Sequence, residues 1–189
     1  MQTLNDIFES RVKDLRLISS DKSSIPVDKL VILSNLIIEA FKLNKKIAFV
    51  GNGGSAAEAM HIAAEFIGKC VVPHKPYRAM CLNESQSVIT AVANDFGVGE
   101  IFTRMVEAHL DSGDILISLT TSGSSENILN AVRRANELGV ITVVWMGDFD
   151  FSQKASQVWK VPSKSTPRIQ EVHLMWGHLL SEAIEIILG

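Results

Sequence analysis

His61 and Glu65 stand four residues apart in a stretch, Ala57 to Gly68, that reads as a helix. At that spacing two side chains leave the same face, about 40° apart around the axis. An imidazole and a carboxylate so placed can hold a zinc-type metal or exchange a proton; the same pair is also a common surface contact. Gly51-Asn52-Gly53-Gly54-Ser55 opens this helix. Its glycines permit positive φ and let a ligand reach the backbone, and the free amides of a helix start favour an anion or a hydroxyl-rich group. Taken alone, the loop fits a nucleotide site, a sugar site or a tight turn, because it also satisfies a loose G-x-G-x-x-A fingerprint.

A second loop, Thr120-Thr121-Ser122-Gly123-Ser124-Ser125, places five hydroxyls around one glycine. It lies between the apolar run Ile115 to Leu119 and a helical stretch Glu126 to Glu137, so neutral donors gather at the end of a strand and the start of a helix. That arrangement suits a phosphate dianion, and a nucleotide-dependent oxidoreductase has no use for it. The plainer alternative is that Ser124 or Ser125 merely caps the helix. Near the C-terminus, Arg168-Ile169-Gln170-Glu171-Val172-His173 and then His178 lie among Leu174, Met175, Trp176, Leu179 and Leu180. Helical geometry does not choose between the two histidines.

The elements that must position these residues follow from the hydrophobic pattern. Short apolar runs, Ile47 to Val50, Arg78 to Leu82, Ile115 to Leu119, Val140 to Met146 and Val158 to Val161, end in polar turns that open into helical stretches. Strands buried on both faces read as continuously apolar, and strand followed by helix repeatedly implies a right-handed parallel sheet. The expected fold is a three-layer αβα sandwich with a five-stranded parallel sheet. Two helices, about Leu4 to Ser19 and Val27 to Leu43, precede it. In the second, Leu30, Leu33, Ile37, Ile38 and Phe41 form one broad apolar face that calls for a neighbour. A last helix should begin near Pro167, a residue suited to a first turn, and run to about Leu188.

Composition bounds the function. The chain has 189 residues, 47% hydrophobic and 21% charged, with a formal net charge of −3 spread without a basic block, which argues against electrostatically driven nucleic-acid binding. Two cysteines, Cys70 and Cys81, make no disulfide framework and read as reduced thiols. No apolar run approaches the ~20 residues that span a bilayer, and Met1 to Arg16 lacks the apolar stretch of a signal peptide. The expectation is a soluble cytoplasmic protein.

Taken together, Gly51-Asn52-Gly53-Gly54-Ser55, His61 with Glu65, Asn94-Asp95-Phe96-Gly97, the Thr120 to Ser125 loop and Arg168 to His173 with His178 resemble the phosphoheptose isomerases, members of the sugar isomerase (SIS) domain class. The resemblance spans nearly the whole chain. It implies one SIS domain over 1–189, with 1–44 as helices used in oligomer packing, and conversion of sedoheptulose 7-phosphate to D-glycero-D-manno-heptose 7-phosphate through an enediol, the first step toward heptose for lipopolysaccharide or capsule. It further implies that Asn52, Gly53, Gly54, Ser55, Glu65, Asn94, Asp95, Thr120, Thr121, Ser122, Ser125 and Gln170 bind substrate. His61, Glu65, Gln170 and His178 would surround zinc, Glu65 and His178 would move protons, and the enzyme would be a homotetramer with active sites at subunit interfaces. A non-catalytic SIS protein acting as a binding partner would resemble the loops but lack the counterparts of Glu65 and His178, both of which are present.

The sequence departs from the family's pattern at Gly147 to Gln153, which replaces a glycine-rich turn, at Ala64, at Lys69-Cys70, and at Thr120 and Ser124. These changes leave the proton-transfer set intact. Gln170 and His178 are eight residues apart, a rise of about 12 Å and a turn of roughly 80° on one straight helix, too far for both to bind one ion comfortably at about 2 Å. Either two subunits contribute the pair or Gln170 contacts substrate; the shared site is the arrangement expected here.

Overall fold

The computed structural model describes Thr3 to Gly189; Met1 and Gln2, the start of the segment scanned for a leader, lie outside the described residues. Five parallel strands, β1 (Ile47–Gly51), β2 (Ala79–Cys81), β3 (Ile115–Leu119), β4 (Ile141–Met146) and β5 (Gln157–Lys160), form one sheet in the order β2-β1-β3-β4-β5. Seven α-helices accompany them: α1 (Leu4–Ser20), α2 (Val27–Lys42), α3 (Gly54–Ile67), α4 (Gln86–Phe96), α5 (Ile101–His109), α6 (Glu126–Glu137) and α7 (Thr166–Leu188). This is the expected αβα sandwich.

The strands are apolar throughout because they feed two cores. Ile47, Phe49, Ile117, Val143 and Trp145 point to the side of α2, α3 and α7, where they meet Ile37, Ile62, Phe66 and Trp176. Ala48, Val50, Leu116 and Val144 point to the opposite side, against Phe102, Val106, Ile128 and Val132 of α5 and α6. Alternating side chains thus serve both layers, and β1 and β3 are buried along their whole length.

The helix boundaries have local causes. Thr3 caps α1 in a reciprocal box, its hydroxyl accepting from the Asp6 N–H at 3.2 Å while the Asp6 carboxylate accepts from the Thr3 N–H at 2.8 Å. Ser85 caps α4 through a bond from the Val88 N–H at 3.3 Å. Helices α4 and α5 fall in the one long stretch where the sequence delimits no helix; α4 buries only Val92, whereas α5 buries Ile101, Phe102, Met105 and Val106.

A layered sheet of this kind puts binding residues at one end. The sheet order reverses direction at β1 and β3, and in open α/β sheets the crevice beyond the carboxyl ends of strands at such a switch is the natural ligand site.

Candidate active site

At that switch, β1 runs into the glycine loop and β3 into the hydroxyl loop. Gly53 holds φ at +55°, a conformation open to glycine and strained for other residues, and this turn brings the start of α3, at Gly54 and Ser55, to the crevice. Gly54 permits a close approach: a Cβ there would collide with the Gln170 amide. The resulting cleft is lined by Asn52, Gly54, Ser55, Leu119, Thr120, Thr121, Ser125, Thr166 and Gln170. Three helix N-termini therefore open onto it, those of α3, α6 and α7. None of the described lining residues is charged, so an anion would be held by backbone N–H groups, helix dipoles and hydroxyls.

The hydroxyls divide by role. Thr120 accepts from the Gly123 N–H at 3.2 Å and so shapes the loop. Ser122 is occupied within it, accepting from the Ser124 hydroxyl at 2.9 Å and from the Ser124 N–H at 3.3 Å; it is not among the lining residues. Ser125 is the residue preceding α6 but makes no side-chain cap bond, so the plain capping role does not use up its hydroxyl. Ser55 is buried and faces Gln170, whose Nε2 lies 3.5 Å from its Oγ.

Beside the cleft stands a second cluster. The ligand atoms of His61, Glu65 and His178 lie within 4.8 Å of one another. His61 Nε2 is 2.9 Å from His178 Nε2 and 3.3 Å from Glu65 Oε1. Two imidazole nitrogens and a carboxylate oxygen facing one point are the donor set a zinc-type ion prefers, so these residues fit such an ion. Three of the four expected ligands meet here, while Gln170, the fourth, lies against Ser55 instead. His61, Glu65 and His178 come from one chain, because α7 lies against α3 at Gly177, where a Cβ would sit 2.5 Å from the Ile62 side chain. Gln170 is two turns away on α7, with Ser55 and Gly54.

The surroundings bias this cluster. Glu185 accepts from the backbone N–H groups of Cys70, Val71 and Val72 at 2.5, 2.8 and 2.9 Å. Its burial opposes ionisation, yet those donors hold its carboxyl below the usual range. The segment after α3 is thereby tied to α7, which sets Cys70 near Glu65; burial first, and then the Glu65 and Glu185 carboxylates, push the thiol up to about 11. Both cysteines are free. One turn before His61, burial raises the Glu58 carboxyl to about 7, partly offset by a hydrogen bond with Ser55. His173, the other histidine of α7, is fully buried beside Trp145 and Trp176, and burial lowers it to about 3, which makes it a core residue.

Not every expected residue reaches the cleft. Asn94 and Asp95 are exposed at the end of α4, bonded to each other at 2.7 Å. The turn that follows brings Gly99 against Asn130, whose Nδ2 donates to its carbonyl at 3.2 Å, and so lies alongside α6. Thr166 lines the cleft without having been singled out; its signal was a hydroxyl residue directly before Pro167, a helix-start pattern. Glu58 carried no signal, since its burial is a tertiary fact.

Comparison with known proteins agrees with this geometry. The SIS domain family matches residues 18–147. The phosphoheptose isomerase of Clostridium acetobutylicum is 40% identical over 161 residues, covering 84% of this chain and 82% of that protein. The phosphoheptose isomerase of Aquifex aeolicus is 41% identical over 159 residues, covering 83% of each. Among solved structures, the phosphoheptose isomerase from Neisseria gonorrhoeae superposes with a TM-score of 0.89 at 30% identity, covering 97% of this chain and 100% of that one. The phosphoheptose isomerase from Francisella tularensis gives 0.84 at 27%, covering 97% and 96%.

Proposed function

The chain belongs to the SIS domain family and, within it, to the phosphoheptose isomerases, and on that premise we propose how its own residues convert sedoheptulose 7-phosphate to D-glycero-D-manno-heptose 7-phosphate. The observation that carries the reading is the meeting of His61, Glu65 and His178 beside an uncharged cleft at three helix N-termini.

The phosphate sits on Thr120, Thr121 and Ser125, where α6 begins, and its remote binding orients the sugar. Asn52, Gly53, Gly54, Ser55 and Gln170 take the sugar hydroxyls. Asn94 and Asp95 belong to the outer rim, and Ser122 acts by shaping the loop around the phosphate. Glu65 removes a proton from C1 of the ketose and returns it to C2, so a single carboxylate serves both carbons of the enediol. His178 exchanges the proton between the two oxygens, a task an imidazole can perform because one ring nitrogen donates while the other accepts. A zinc-type ion held by His61, Glu65 and His178, with Gln170 supplied across a subunit interface as the fourth ligand, would supply Lewis-acid polarisation of those oxygens.

The same reading includes one SIS domain over 1–189, a homotetramer with sites at subunit interfaces and packing through the helices of 1–44, a role in heptose supply for lipopolysaccharide or capsule, and a cytoplasmic location. The free thiols of Cys70 and Cys81 are in keeping with a reducing compartment. The direct test is incubation with sedoheptulose 7-phosphate followed by proton NMR. Appearance of the aldoheptose 7-phosphate is the expected result; recovery of the ketose alone would reject the reading.

A further inference from the structure

The glycine loop and the hydroxyl loop are joined by two side-chain amides. Asn52 Nδ2 donates to Asn127 Oδ1 at 2.8 Å, and Asn127 Nδ2 donates back to Asn52 Oδ1 at 2.9 Å. Asn127 is the second residue of α6 and is buried, 7% exposed. Its Oδ1 also accepts the N–H of Ile128 at 3.0 Å. A backbone N–H can only donate, so the oxygen end of the Asn127 amide is fixed, and the reciprocal pair then fixes which end of Asn52 is which.

A primary amide offers two N–H donors and an oxygen with two lone pairs. The pair uses one N–H and one lone pair of Asn52, leaving one of each for a ligand in the cleft that Asn52 lines. Asn52 therefore need not leave its partner in order to bind. We propose that Asn127 is a positioning residue: it holds the Asn52 amide in a single orientation for a sugar hydroxyl and ties the glycine loop to the phosphate-binding end of α6. Its effect on the ligand passes through Asn52. The identity of the ligand, though not the pairing itself, rests on the sugar-phosphate reading above.

The consequence is a coupling between the two residues. Preordering one side chain is worth up to about tenfold in binding, so Asn127→Ala should lower kcat/KM for sedoheptulose 7-phosphate about tenfold in the parent. In an Asn52→Ala background the same change should have no further effect. Asn127→Asp keeps an acceptor for the Ile128 N–H but cannot donate to Asn52, and in the same cycle it guards against a folding defect. Losses that add in the double variants, or parent-like kinetics in both single variants at position 127, would overturn the proposal. A readout independent of turnover separates this from the enzyme assignment: NMR of the resting protein should show the Asn52 side-chain amide proton that meets Asn127 protected from exchange, and Asn127→Ala should release it. If the parent fails to isomerise while this protection holds, the assignment falls and the pairing stands; an unprotected proton at that position in the parent overturns the pairing whatever the activity.

Discussion

Glu65 is asked to do the most with the least, since one of its carboxylate oxygens faces His61 and its partner residue His178 completes the cluster. Glu65→Gln keeps the shape and removes the base. Turnover should fall by about 10²–10⁴-fold while calorimetric affinity for substrate stays within a few-fold; a variant that isomerises at the parent rate would end the role given to Glu65. Glu58 tests the electrostatics one turn away. Its carboxyl titrates near 4.5 in an unfolded chain and about 7 in the folded one, so the folded state holds the proton more tightly between those values. That stabilisation is complete below the lower value and lost as pH rises through the upper one. Glu58→Gln should therefore gain melting temperature over the parent at about pH 8 and gain little near pH 5; equal gains at both would refute the buried carboxyl. The two residues differ in legibility. Glu65 declared itself by its spacing from His61, whereas Glu58 and Asn127 matter through what the fold packs around them, which spacing does not encode.

The site exists because α3 and α7 touch. Gly177 lets Ile62 approach, and their sequence neighbours His178 and His61 are brought to 2.9 Å. Gly177→Ala would place a methyl against Ile62, at a cost of about 1–3 kcal/mol for an overpacked contact. The expected outcome is a lower melting temperature together with a smaller thermal shift on adding zinc. Unchanged melting and zinc response in this variant would show that the helices are not held at this point. At this scale much was readable beforehand. Strand β3 and helix α6 match their expected bounds, and α7 starts within a residue of Pro167, because continuous apolar runs and hydroxyl-rich turns are strong signals. The 8-residue separation of Gln170 and His178 keeps Gln170 apart from the His61, Glu65 and His178 cluster within this chain. What the sequence did not carry was the α3–α7 contact, which brings His61, Glu65 and His178 together within one chain.

The whole chain exposes 9720 Å², against about 8,900 Å² expected for a compact monomer of 20.7 kDa. The excess is accompanied by exposed apolar residues at helical spacing on α1, Leu4, Phe8 and Val12, and on α2, Val27 and Val31. Such faces support the proposed assembly through the N-terminal helices. Light scattering should give four times the chain mass, and a fully active monomer would remove that part of the account. The central claim, however, is that Glu65 carries a proton between two carbons of a sugar phosphate, and it is tested by turning over sedoheptulose 7-phosphate in deuterium oxide. Deuterium that enters the aldoheptose of the parent should be confined to C2, the remainder there being the proton that Glu65 carried over from C1, and Glu65→Gln should neither form product at a comparable rate nor exchange the C1 protons of the ketose. Deuterium at any other carbon-bound position, or exchange that survives in Glu65→Gln, would contradict the account.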